Sequence, residues 1–354
     1  MYYGKDQMDY MYYIPGWKRM LVVPAHWETQ THGEAVGLAI DWVKYFDRWF
    51  PDFQDPAYSA LTNMIIPDDG VNWMGVLRQA LMAPTARGRF NVAVNILLCT
   101  LVDGGGDKKM GIDEVMGESR RAVGMMRDEG FMEKLSVVGF LEFNRRFYEI
   151  YRFARSVLDG LVCPVRDQFA PSFPLHMPMD LRSFGPPGDH EGVTTKNKDV
   201  TGALLRDGYR CIITGAVDYL SVREGKVECD ADKGLNSPGF QPHSSGLRPR
   251  KIKMWQLLNM FNPGLSHLVS GSNIDGPDNL ITLESSLAYI FERFELWFDC
   301  VDGVTTGKRL YRVVSRYPGV LGEDVYVTID RSAGLHRLLD AHAHIANMAA
   351  DGGV

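Results

Sequence analysis

Six prolines fall within residues 164–199: Pro164, Pro171, Pro174, Pro178, Pro186 and Pro187. Gly185, Gly188 and Gly192 lie among them, and no hydrophobic period runs through the stretch. Proline fixes φ and carries no N–H, so a segment of this composition neither continues a helix nor enters the middle of a sheet. It splits the 354 residues into two parts that must each build a core of their own, and it reads as an extended linker.

The part before the linker carries helical spacing alone. Ala35, Leu38, Ala39, Trp42, Phe46 and Trp49 recur at steps of three and four, one face of a helix over residues 34–50. Val71, Met74, Leu77 and Leu81 mark a second, with Asp68 as its expected N-cap. Residues 87–102 read as a buried third helix, stopped by Gly104, Gly105 and Gly106. Two more are expected over residues 113–127 and 133–158. The third includes the longest apolar stretch, residues 90–102, well short of the ~20 residues a membrane span needs. Residues 1–163 are therefore expected to form a helical N-terminal domain.

After the linker the pattern changes. Residues 209–214 (YRCIIT) and 279–283 (NLITL) are β-rich, and residues 253–260 and 285–298 read as helices. Residues 309–315 and 325–328 read as a hairpin around Pro318 and Gly319, and residues 335–349 as a final amphipathic helix. The expected fold class is α+β, with domains at 1–163, 200–300 and 301–354, the last packed on the second, and the linker at 164–199.

Charge and cysteine usage narrow the function. The net charge is -6, and residues 200–300 hold 10 Lys+Arg against 12 Asp+Glu, which disfavours nucleic acid as a partner. Cys99, Cys163, Cys211, Cys229 and Cys300 are scattered, with no C-x-x-C pair, unlike a disulfide framework or zinc knuckle. With no basic flank and apolar core at residues 1–17, an intracellular location, cytoplasmic or nuclear, and no membrane partner are expected.

DGYRCIITG at residues 207–215 resembles the opening of the HNH nuclease-like domains found in many fungal proteins. GFQPHSSG (239–246) is similar to the family's first histidine segment, KMWQLLNMF (253–261) to its Trp helix, NIDGPDNLITL (273–283) to its Asn segment, and LAYIFERFELWF (287–298) to its last helix. The tail 335–353 resembles the segment on the C-terminal side of the domain in fungal relatives, so the likeness covers about residues 200–350. It implies a ββα-metal fold: a hairpin packed on a helix around one divalent cation. One histidine deprotonates water, a second helps hold the metal against the scissile phosphate, and the central Asn braces the loop.

Both histidine positions depart from this pattern. The general-base position falls on Gly239 and the metal-binding position on Ala288, leaving Asn279 of the three. Neither replacement side chain binds metal or accepts a proton. A rearranged site remains open, with His243, Asp275 and Asp278 as ligands and His243, Asn279 and Tyr289 as catalytic groups; a divalent metal is implied only under that reading. The plainer roles are a solvated loop for His243 and turn formation for the two aspartates around Gly276 and Pro277. His342 and His344, two apart on a helix, face different ways, one expected to pack and the other to be solvated. His26, Glu28 and His32 approach a ligand spacing without a periodic element to carry them.

Three functions are compatible with these residues: an HNH-related protein with a lost or altered phosphodiesterase site and a groove turned to a small molecule; a metal-dependent HNH endonuclease with a rearranged site; and a non-catalytic interaction protein. In the third, the aromatic segment with Tyr2, Tyr3, Tyr10, Tyr12, Tyr13 and Trp17 would be a docking arm forming a homodimer.

Overall fold

The computed structural model describes residues 21–22, 29–53, 70–101, 110–163, 202–228, 235–236, 257–265, 268, 280–301, 308–322, 324–330 and 333–353. The expected linker, the aromatic N-terminal segment, Asp68, and His26 and Glu28 lie outside them. The fold is mixed α+β, mostly helical, with a small sheet and a C-terminal helix. The chain divides into two units. The first comprises Met1–Val162, Gln256–Pro263 and Asn347–Val354; the second comprises Cys163–Trp255 and Gly264–Ala346.

In the first unit, a two-residue strand β1 (Leu21–Val22) pairs in parallel with β2 (Met110–Gly111). The helices are α1 (Thr29–Phe53), α2 (Trp73–Leu81), α3 (Ala86–Cys99), α4 (Ile112–Met126), the single turn α5 (Phe131–Lys134) and α6 (Val137–Val157), which closes in a π turn at Leu158–Val162. The apolar stripe foreseen on α1 is buried: Trp42, Phe46 and Trp49 meet Phe131, Phe143 and Phe147. Phe46 stands edge-on to Phe147 at 5.4 Å between ring centres, and Phe131 to Phe143 at 4.8 Å, the tilted geometry aromatic rings prefer. Trp49 Nε1 donates to Met126 O at 3.3 Å. From Phe90 to Cys99, α3 is buried on every side, and it gains its cap from Thr85, whose hydroxyl accepts from Gly88 N at 2.9 Å.

Two helix boundaries differ from the sequence reading. α2 is capped by Asn72, whose Oδ1 accepts from Gly75 N at 3.0 Å. The single helix expected over 133–158 is broken before Ser136, which accepts from Gly139 N and starts α6. Ser and Asn compete for backbone hydrogen bonds and so begin helices more readily than they continue them.

The second unit holds β3 (Val217–Asp218), α7 (Tyr219–Arg223), β4 (Leu235–Asn236), α8 (Ser285–Glu292), β5 (Leu296–Cys300), β6 (Lys308–Ser315), β7 (Val325–Asp330) and α9 (Ala333–Gly352), whose residues from 347 onward are counted in the first unit. β3 and β4 pair in parallel, and β5–β6–β7 form an antiparallel meander. The hairpin foreseen after residue 301 is β6–β7. β5 replaces the end of the helix expected over 285–298. α8 stops in a Schellman closure, in which Phe294 N donates to Phe291 O and Glu295 N to Ile290 O. Phe294 takes φ +58, a left-handed position usually given to glycine, so the sequence offers no visible stop. One apolar cluster joins β5–β6–β7 to Leu287 and Ala288 of α8, Leu335 and Leu339 of α9, and Cys211 and Ala216.

Candidate functional site

Residues 207–218 make a tight turn rather than the strand expected over 209–214. Only Arg210 bridges, antiparallel to Val217; Cys211 N donates to Ala216 O at 2.8 Å and Asp218 N to Tyr209 O at 2.8 Å. Gly215, at φ +72, returns the chain, and its N–H reaches Cys211 O. Tyr209, at φ +60, holds a left-handed conformation that a side chain disfavours by about 1 kcal/mol. Cys211 is buried, and its Sγ accepts from Thr214 N.

Hydrogen bonds latch this turn to residues 280–284. Ile212 N donates to Thr282 O at 3.0 Å, and Thr282 N donates to Asp207 Oδ2 at 2.9 Å. Arg206, paired to Asp207 at 2.7 Å, donates to Leu280 O, and Thr214 Oγ1 to Glu284 Oε2. Residues 280–284 are thus extended and bonded without forming a regular strand; they lead directly into α8. These four hydrogen bonds, one of them between backbone groups, make turn, extended segment and helix a single local construction.

Of the expected site residues, His243, Asn279, Asp275, Asp278 and Gly239 lie outside the described residues. Ala288 is 4% exposed, in the cluster with Cys211 and Ala216. Tyr289 is on the outer side of α8, 40% exposed. The Arg293 guanidinium carbon lies 5.4 Å from the centre of its ring, within cation–π range. Arg293 is held by Glu295 at 3.3 Å, and Glu295 also accepts from the Tyr317 hydroxyl at 3.0 Å. Glu295 itself is buried. Its hydrogen bond to Tyr317, and then burial, raise the phenol above its ordinary pKa, so Tyr317 stays a neutral donor. Two phenols and a guanidinium are therefore presented on a braced surface.

A second polar group lies between β6 and α9. Tyr311, fully buried, meets His336 Nδ1 through its hydroxyl at 2.8 Å, and Arg309 pairs with Asp340 at 3.0 Å. Which of Tyr311 and His336 donates follows the imidazole tautomer. Burial, followed by the Asp340 charge, pushes Tyr311 far up, and burial likewise raises Asp340 against the opposing pull of Arg309. The group fastens the start of α9 to the sheet. The sequence carried its signal only in part: the 309–315 alternation places Arg309 and Tyr311 on one face, and His336 and Asp340 stand four apart on a helix.

Neither of the two later histidines is solvated, contrary to the expectation for one of them. His342 is stacked between Phe291 and Phe294, 3.9 and 4.2 Å away, and its Nε2 lies 2.8 Å from Phe291 O. Burial lowers it to about 4, and lowers buried His344 to about 3. His32 stacks on Phe90 at 4.2 Å. Among the described residues no group of three or more His, Cys, Asp or Glu is placed to hold a metal ion, and no helix is long and apolar enough to cross a membrane. Cys99, Cys163, Cys211 and Cys300 form no disulfide among the described residues. Comparison with protein-family models, with curated proteins and with solved structures returns no match to the chain.

Proposed function

We propose that the chain is an HNH-related protein that has lost phosphodiester hydrolysis and keeps the ββα-type construction as a scaffold for a small-molecule ligand. The observation that carries the reading is Ala288. The resemblance assigns this position to a metal-binding histidine, and here it is a buried methyl packed with Cys211 and Ala216. A cation ligand there would have to leave an apolar cluster, and bringing a charge into one is costly. The latch between residues 207–215 and 280–284, followed by α8, supports the scaffold half of the reading, because these segments succeed one another in the family's order. Tyr289, Arg293 and Tyr317 support the ligand half: two phenol rings and a fixed guanidinium suit a planar, anionic small molecule better than a polyanionic duplex.

The test is a nicking assay on duplex and single-stranded DNA with Mg, Mn, Ni or Zn, alongside calorimetric titration of each metal. Neither scission nor stoichiometric metal uptake is expected. Metal-dependent scission that disappears in His243→Ala, Asp275→Asn or Asp278→Asn would establish the rearranged nuclease instead.

A further inference from the structure

We infer that residues 85–95 of the first unit form a peptide-recognition surface, occupied in cis by residues 257–262 of the same chain. Residues 257–261 are a helical turn. The final carbonyls of any helix lack partners within it. Here they are taken up by α3 and its cap: Asn91 Nδ2 donates to Met260 O at 3.0 Å, and Thr85 Oγ1 to Phe261 O at 3.4 Å. Asn95 Nδ2 donates to Asn91 O at 2.7 Å and lies 3.3 Å from Met260 Sδ. Gly88, Asn91 and Asn95 share one face of α3 at steps of three and four. At Gly88 the backbones approach so closely that a Cβ would overlap Phe261 O. Leu257, Phe261 and Asn262 are buried.

Two asparagines inside an all-buried helix are expensive unless their amides are paired. Asn91 pairs with the segment's backbone and Asn95 with its own helix and the Met260 sulfur, beside a glycine cleared for the segment's backbone, so the surface reads both main chain and side chain. The fitting partner is a short apolar helical turn ending in an aromatic residue and followed by a helix stop, as in Phe261-Asn262-Pro263. The residues flanking Gln256–Pro263 are counted in the second unit, while the segment itself is counted in the first. Its docking is an intramolecular step, so a free peptide must compete with a segment already tethered to the surface.

The test uses the full chain carrying Met260→Lys and Phe261→Asp, with a fluorescent peptide of residues 254–265 as probe. The doubly substituted chain is expected to bind the peptide saturably, at least about tenfold more tightly than the wild type, whose surface is filled. Adding Gly88→Ala to that chain should abolish binding while its circular dichroism is retained. Three results would overturn the inference: a folded double variant that ignores the peptide, peptide binding that survives Gly88→Ala, or a double variant that does not fold, since the segment is then inseparable core.

Discussion

Acid should weaken the second unit through His342, by an amount set by its enclosure. The ring lies between Phe291 and Phe294, with Nε2 donating to Phe291 O and Nδ1 enclosed without a partner among the described residues. Burial holds its pKa at about 4 against an ordinary value of 6.5. Between those values the unfolded chain takes up a proton that the folded one refuses. The stability is therefore complete above about pH 6.5 and is lost as pH falls toward 4. At about 1.36 kcal/mol per pH unit, the loss approaches about 3 kcal/mol. His342→Phe keeps an aromatic ring in the stack and removes the titration. It also strands the Phe291 carbonyl, but that cost does not vary with pH. Urea unfolding of both proteins from about pH 7 to about pH 4 isolates the effect, because His344 contributes equally to each. The free-energy difference between them should shift by about 3 kcal/mol across that range, in favour of the variant at low pH. A difference flat to within about 0.5 kcal/mol would overturn this account of the enclosed ring.

Three further outcomes are expected. Gly75→Ala places a Cβ against Asp351 O and should cost about 1–3 kcal/mol in urea unfolding, whereas Gly37→Ala, with open space around it, should not. Tyr311→Phe leaves His336 Nδ1 without its phenol and should lower stability by about 1–3 kcal/mol, with the amides of the first turn of α9 losing hydrogen-exchange protection first. Asn72→Ala removes the cap of α2 and should cost about 1 kcal/mol in thermal or urea unfolding.

Helical faces were legible because burial follows their spacing: Trp42, Phe46 and Trp49 lie inside, as their steps of three and four require. The end of α8 was not. In FERFELWF the aromatic residues satisfy a helical period and a strand period at once, and the left-handed stop is a phenylalanine. At the candidate site, the tight turn at 207–218 was expected as a strand over 209–214, although the return of the chain at Gly215 was readable, as a glycine ending a β-rich run. Glu295 as the brace beneath Tyr317 and Arg293 was not, since a glutamate in that run looks solvent-facing. The Tyr311–His336 pair was hidden for another reason: its partners are 25 positions apart and meet only once β6 and α9 have packed.

The closing turn of α9 has a bearing on how the chain is made. Asn72 N donates to Gly352 O, Gln79 reaches Asp351, and Met348 and Ala349 are buried. A ribosome delivers α1 to α6 long before it delivers these residues. The helices of the first unit must then wait, with one flank uncovered, while nearly two hundred further residues emerge. Slow translation downstream of residue 162 would prolong that exposure, and a chaperone that shields apolar helices would act during that interval.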